Sequence, residues 1–213
     1  PPEQVAKRML MAHARVSKWE LIQRDESAWS ELGKSFGMLS THTLEFDRHE
    51  APTLAHIRTH CARMQRAGGL DLVVIDYFQR CATTGKGERW QTLGELARGI
   101  KSLAQAFAVP VIMPAQLNRT AEDQRPTLAH LRESGDLESE SDVVLLLHPT
   151  PMPGVSPEDA MKLEFPAVDL IVAKNRHGEG RVVPLSFEKH YVRFVSAAPK
   201  REYAEVEQPA WGQ

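Results

Sequence analysis

An α/β fold, with a mostly parallel, twisted sheet flanked by helices and a C-terminal β-hairpin, is predicted by three observations. Short apolar runs alternate with stretches of helical periodicity, the order that produces β-α-β units. The segment Leu70 to Tyr77 is almost continuously apolar, as are strands covered on both faces of a parallel sheet. Near the end of the chain, Arg181 to Phe187 and Tyr191 to Val195 are two short runs with a brief connection, which reads as a hairpin.

In chain order, Glu3 to Ala14 places Val5, Met9, Leu10 and Ala12 near helical spacing, and two further helical stretches follow at Lys18 to Arg24 and Ser27 to Phe36. Asp25 and Ser27 suit the cap between them. His42 to Phe46 alternates and reads as a short strand. Pro52 to Met64 reads as a helix because Leu54, Ile57, Cys61 and Met64 are spaced by three and four. After the Leu70 strand, Arg89 to Phe107 is a long amphipathic helix with Leu93, Leu96, Ile100, Leu103 and Phe107 on one stripe. Val109 to Ala115, Asp142 to Leu147 and Val168 to Ala173 are the next strands. Pro149 to Pro166 holds five prolines and reads as a surface insertion. Residues 196–213 mix charge with Pro and Gly and read as a flexible tail behind one domain spanning 1–195.

The bulk composition narrows the class. At 213 residues the chain can bury a core. Its net charge of −2 supplies no general basic field for nucleic acid, so DNA contact has to come from a few placed groups or from a ring that gathers them. No apolar run reaches the roughly 20 residues of a membrane span, and no signal-peptide pattern is visible at the polar Pro1 to Lys7. Two cysteines, Cys61 and Cys81, lack metal-type spacing and fit a reduced, cytoplasmic setting.

Chemistry is expected at strand ends. Asp76 closes Val73-Val74-Ile75-Asp76, and ligands of open α/β sheets bind beyond the carboxyl ends of strands. A carboxylate there can hold Mg2+ through water; the plainer reading is a turn cap. Gln116 ends the next strand, where a neutral amide can hydrogen-bond a γ-phosphate or the attacking water; the plainer reading is a polar strand end. In Leu131-Arg132-Glu133-Ser134-Gly135, Arg132 can pair with a backbone phosphate and Gly135 lets main-chain N–H groups approach one; a charged helix start is the plainer alternative. Lys174 and Arg176 sit in Lys174-Asn175-Arg176-His177-Gly178-Glu179-Gly180, a turn able to project an arginine finger; an ordinary basic β-turn is the plainer one. No Gly-x-x-x-x-Gly-Lys-Ser/Thr occurs, and Thr84-Gly85-Lys86-Gly87 lacks the first glycine of that motif. His56 and His60 are four apart on a helix without the Glu of a zinc-protease motif, and read as surface imidazoles.

Taken in order, these segments resemble the C-terminal RecA-like ATPase domain of bacterial replicative DNA helicases of the DnaB type. Ile75-Asp76-Tyr77-Phe78-Gln79 resembles the family's Ile-Asp-Tyr-Leu-Gln. Gln116-Leu117-Asn118-Arg119 matches its next strand end. Arg125-Pro126, then Leu131 to Gly135, then Asp142 form the most specific stretch, and Lys174-Asn175-Arg176 with Gly178 looks like its Lys-Gln-Arg-x-Gly finger. Pro2-Glu3-Gln4 through Arg8-Met9-Leu10 is similar to the helix after its first strand. Ala115, Asn175 and Leu147-His148-Pro149 depart from the family pattern and mark a divergent member.

The resemblance implies a ring of six identical subunits with ATP and Mg2+ at each interface. Asp76 would lie on the Mg2+ side and Gln116 at the γ-phosphate. Lys174 and Arg176 would act in the neighbour's site, and Arg132, Glu133 and Gly135 would contact single-stranded DNA. It implies an ATP-dependent helicase that translocates 5′ to 3′ and unwinds duplex DNA at replication forks, with primase or a helicase loader as candidate partners. It also implies that the phosphate-binding loop and catalytic glutamate lie upstream of Pro1, so the 213 residues alone are expected to be inactive. Two other readings stand beside it: a RecA-type recombination or repair ATPase, and a non-catalytic DNA-binding or assembly module.

Overall fold

The computed structural model describes residues 2–78, 81, 89–118 and 124–197, without the side chains of 89–91, 132–135 and 157. Gln79, Arg119, the Thr84 to Gly87 segment and residues 198–213 of the expected tail therefore lie outside the described residues. The elements run α1 (Pro2–Ala14), α2 (Lys18–Ile22), α3 (Glu26–Leu39), α4 (Leu54–Ala67), β1 (Val73–Val74), α5 (Arg89–Phe107), β2 (Val111–Ile112), a 3-10 helix (Leu128–Ser134), α6 (Gly135–Glu140), β3 (Val143–Pro149), α7 (Pro157–Ala160), β4 (Ala167–Asn175), β5 (Arg181–Glu188), a short 3-10 turn (Lys189–Tyr191) and β6 (Arg193–Ser196). They form two compact units. One holds residues 1–48, 147–171 and 181–213, the other residues 49–146 and 172–180.

In the first unit, helix starts are set by local side chains. Ser17 accepts from the Glu20 N–H while the Glu20 carboxylate accepts from the Ser17 N–H, a reciprocal capping box that opens α2. Asp25 accepts from the N–H groups of Ser27 and Ala28 and opens α3, so the expected cap falls on Asp25. Met11 and Ala28 are buried where α1 meets α3, and His13 Nδ1 lies 2.9 Å from the Ser35 hydroxyl. The expected hairpin forms: β5 and β6 pair antiparallel from Leu185↔Ser196 to Glu188↔Arg193, and the cross-strand rings of Phe187 and Phe194 lie 4.6 Å apart. The expected strand at His42 to Phe46 does not form. Its alternation has no buried face, since Leu44 is 53% exposed and its neighbours Thr43 and Glu45 are exposed too. The Pro-rich insertion is closed at its base by the Thr150 N–H donating to the Ala167 carbonyl, and is mostly exposed between.

The second unit carries the parallel pairing, with Val73 opposite Val111 and Val74 opposite Ile112. Its core joins Ile57 and Cys61 of α4, Leu93, Leu96, Ala97, Ile100 and Leu103 of α5, Ile75, Phe78 and Cys81 beside β1, and Leu137 of α6. The stripe read for α5 supplies much of it, and α5 has the expected bounds. Each such side chain contributes roughly 1.5–3 kcal/mol when fully buried. The Leu70 strand departs from expectation in one respect: it is covered on one face. Ile75 and Phe78 point into the core, whereas Leu72, Val74 and, on β2, Ile112 are about half exposed. The helices of this core pack on one side of the pair, and the apolar run of the sequence did not reveal which side was covered.

Strands β3 to β6 form a four-stranded sheet in the order β3-β4-β5-β6. At one end of β3–β4 the Thr150 N–H meets the Ala167 carbonyl. At the other, the Arg176 N–H meets the Asp142 carbonyl, so the two strands run antiparallel. The third and fourth expected strands thus join the hairpin, while the parallel pairing sits in β1–β2. In β3, Val144 and Leu146 are buried while Val143 and Leu145 are exposed, the one-sided alternation that suits an antiparallel sheet.

Candidate functional site

Because β1 and β2 are parallel neighbours, their carboxyl ends lie on the same side of the pair. Asp76 follows Val74 by two residues and Gln116 follows Ile112 by four. The backbone ladder continues past both strands: the Ile75 N–H donates to the Ile112 carbonyl at 3.0 Å and the Phe78 N–H to the Pro114 carbonyl at 3.1 Å. Three residues on one side therefore span two on the other, a bulge of the kind that re-aims a side chain. Asp76 lies inside it, and the Asp76–Tyr77 peptide is cis. Both Asp76 and Gln116 are exposed. A carboxylate and an amide 40 positions apart in the sequence thus both lie beyond the carboxyl ends of neighbouring parallel strands.

The loop beyond Gln116 is tied to the next segment. The Asn118 N–H donates to the carbonyl of His130, in the 3-10 helix Leu128–Ser134. His130 is buried, and its Nδ1 accepts from the Thr127 N–H at 2.8 Å. The side chains of Arg132 and Glu133 lie outside the described residues, but the backbone of both and of Gly135 is placed. The 3-10 helix ends at Ser134 and α6 begins at Gly135. Helix α6 lies close against α5. A Cβ added at Gly94 would fall 1.7 Å from an Asp136 carboxylate oxygen, so only glycine admits this approach without displacement. Asp136 in turn pairs with Arg98 of α5 at 3.1 Å.

Lys174 and Arg176 both meet the far end of α6. The Lys174 ammonium donates to the carbonyls of Glu138 at 2.6 Å and Ser139 at 3.2 Å, which places a cation on the last turn of the helix. The Arg176 guanidinium lies 3.1 Å from one Asp142 carboxylate oxygen, with a second nitrogen 3.5 Å from the Ser139 carbonyl. The other Asp142 oxygen is paired with the Lys101 ammonium. The hydrogen bond from Lys101, reinforced by the charges of Lys101, Arg176 and His177, holds the Asp142 carboxyl below the usual carboxylate range. The turn that carries the two cations is tight. The His177 N–H donates to the Asn175 side-chain oxygen, and a Cβ at Gly180 would come within 2.9 Å of the Val172 carbonyl.

Asp142 stands within the motif that carries the family resemblance without a role of its own there, and no local pattern singles out Lys101. A buried stripe is a signal for packing, and Lys101 lies beside the α5 stripe, where its charge reads as solvated. Only its ion pair with Asp142, the residue before β3, reveals it. Elsewhere, a groove of about 600 Å3 among α1, α2 and α3 is lined mainly by Leu10, Met11, Leu21, Ile22, Trp29 and Leu32 and holds none of the expected site residues. The histidines of α4 are half-buried, with the His56 ring 4.5 Å from that of His49. No described helix is long and apolar enough to cross a membrane.

Comparison with known proteins gives a consistent result. The family model described as "DnaB-like helicase C terminal domain" matches residues 1–196. The chain is similar to the replicative DNA helicase DnaB of Leifsonia xyli subsp. xyli, with 37% identity over 206 residues that cover 92% of this chain and 43% of the relative. It is similar to the replicative DNA helicase DnaC of Bacillus subtilis, with 33% identity, covering 91% of this chain and 43% of the relative. The chain thus spans somewhat less than half the length of these relatives. Among solved structures, an isolated ATPase domain matches with a TM-score of 0.80 and 25% identity, covering 92% of this chain and 71% of that one. A DnaB-like replicative helicase, described with its interactions with primase, matches with a TM-score of 0.76 and 26% identity, covering 89% of this chain and 46% of that one. The fold is the RecA-like one of these helicase ATPase domains.

Proposed function

This chain belongs to the DnaB-like helicase C-terminal domain family, and from that premise we propose that it forms the motor domain of an ATP-driven replicative DNA helicase. Such a motor works as a ring of six identical subunits in the cytoplasm, moves along single-stranded DNA and unwinds duplex DNA. Primase is the partner class favoured, because a similar helicase was solved with its interactions with primase.

The observation that carries the reading is the shared edge of Asp76 and Gln116, both exposed beyond the carboxyl ends of neighbouring parallel strands. An exposed carboxylate and an exposed amide are the donor set that hydrated Mg2+ and a phosphate oxygen require. These residues fit the metal and γ-phosphate side of a nucleotide, and the chain has no Gly-x-x-x-x-Gly-Lys-Ser/Thr to cradle the remaining phosphates. Bound ATP with Mg2+ would supply the phosphoanhydride whose hydrolysis drives movement. Asp76 would hold the metal through water, and Gln116 would hydrogen-bond the γ-phosphate or the attacking water. Lys174 and Arg176 would place positive charge in the neighbouring subunit's site. Arg132, Glu133 and Gly135, at the junction of the 3-10 helix and α6, would meet the DNA backbone. The match to the DnaB-like family favours the helicase over a recombination ATPase or a non-catalytic module.

The test is Arg176→Ala in the full-length protein. DNA-stimulated ATP hydrolysis is expected to fall by about a thousandfold or more, the range of trans-acting arginine fingers, with nucleotide affinity within a few-fold of the parent. Loss of nucleotide binding in the same variant would show the turn to be structural.

A further inference from the structure

We propose that Asp142 is a positioning residue for the arginine finger: it holds Arg176 against the end of α6, so that the finger follows the segment read as the DNA contact. This rests on the reading of Arg176 as a finger acting in the neighbouring site.

The grounds are geometric. Asp142 is the last residue before β3, two positions beyond the end of α6. One of its carboxylate oxygens faces Arg176 at 3.1 Å and the other is paired with Lys101 of α5. Its carbonyl also accepts the Arg176 N–H at 2.8 Å, so the finger residue is tied to Asp142 by backbone and side chain at once. A single aspartate therefore joins the finger to the long helix of the core. The same guanidinium reaches the Ser139 carbonyl, and Lys174 holds the carbonyls of Glu138 and Ser139. Helix α6 has six residues and opens at Gly135, separated from Arg132-Glu133 by Ser134 alone. A shift of α6 along its axis would move the Glu138 and Ser139 carbonyls that grip the two cations, against the Asp142 carboxylate at the start of β3.

The grip is of a kind that can be reset. Arg176 and Asp142 are each nearly half exposed, 47% and 44%, so solvent screens the pair. A carboxylate with a cation on each oxygen fixes the direction of the guanidinium without sealing it from a neighbouring subunit. The backbone bond would keep the finger residue in register if the side-chain pair opened.

The experiment mixes subunits of the full-length helicase. Asp142→Asn removes the charge and keeps the shape. Its homomeric ring is expected to lose about tenfold in kcat for ATP hydrolysis with single-stranded DNA present, with KM for ATP changed less than twofold. Asp76→Asn subunits have a disabled site of their own but an intact finger. Mixed rings of the two variants are expected to recover activity, because the working site of an Asp142→Asn subunit then receives a sound finger. Arg176→Ala mixed with Asp76→Asn is the control for the finger itself. Recovery in that control without recovery for Asp142→Asn would overturn the proposal and leave the finger reading standing. Failure of both mixtures would sink the finger reading and the proposal with it. In an Arg176→Ala background, Asp142→Asn is expected to add less than a twofold further loss, and a further tenfold loss would also overturn the proposal. If Asp142→Asn does not fold, Asp142→Glu, which keeps the charge and displaces the guanidinium, is read in the same mixtures with a loss of about threefold.

Discussion

At the scale of single residues, the charge on Asp142 has a consequence of its own. Its folded-state pKa is lowered by Lys101 first, through the hydrogen bond and its charge, and then by Arg176 and His177. A lowered carboxyl contributes stability that is present above its unfolded pKa and is lost as pH falls through the folded one. The window therefore lies below the ordinary value of 3.8. A carboxyl-carbon titration of Asp142 is expected to show a midpoint below 3.8, and Lys101→Met is expected to raise it. A midpoint at or above the ordinary value would remove the ion pair from the description. The stability involved is small, under about 1 kcal/mol, because the carboxylate is nearly half exposed. The interest of the site lies in direction and placement. The placement of Asp76 and Gln116 beyond strand ends, and of Lys174 and Arg176 at the end of a strand and its turn, was legible in the sequence pattern, while their roles belong to the proposed function. The partners of the two cations were not legible, because nothing in a local pattern says which carboxylate will face an arginine.

At the scale of elements, the contrast between the two faces of β1–β2 can be measured. Leu103 is fully buried in the α5 stripe, and Leu103→Ala is expected to destabilise the chain by about 2–5 kcal/mol, the usual range for an emptied core leucine. Val74 is 57% exposed on the opposite face of the pair, and Val74→Ser is expected to cost less than about 1 kcal/mol. Urea denaturation of both variants decides it. Equal costs would mean that the outer face is covered in solution. The helix α5 was readable to the residue because a 3.6-residue stripe and its length are properties of one segment. The short strand at His42 to Phe46 was misread because alternation predicts a strand only where one parity is buried, and burial is set by neighbours. The strands β3 and β4 were placed correctly along the chain, but their antiparallel pairing depends on which edges meet.

At the scale of the molecule, a net charge of −2 leaves few cations for a polyanion. Under the proposed function, affinity for single-stranded DNA comes from sparse contacts repeated around a ring. Each neutralised phosphate adds about 0.7 to the slope of log affinity against log salt for a single strand. In the full-length protein, Arg132→Ala is expected to lower that slope by about 0.7 for each subunit engaged, and to weaken all sequences alike. An unchanged slope would mean that Arg132 does not touch a phosphate. The hydrogen bonds of this unit give that contact a route inward: the Asn118 N–H bonds the 3-10 helix at His130, α6 follows that helix directly, and Lys174 and Arg176 hold the end of α6. The loop after Gln116, the 3-10 helix with α6, and the Lys174–Arg176 turn are thus linked by hydrogen bonds within one unit.

What the amino-acid sequence determined by itself is local: the extent of α5, the cap at Asp25 and the terminal hairpin. Propensity, periodicity and capping act over a few residues, so they can be read along the chain. What only the tertiary structure decided is which surfaces meet: the open face of β1–β2, the antiparallel β3–β4 pair, and the meeting of Lys101 and Arg176 on one aspartate. Lys101 lies 41 positions before Asp142, and contacts across such separations arise from the packing of whole elements, which short-range spacing does not encode.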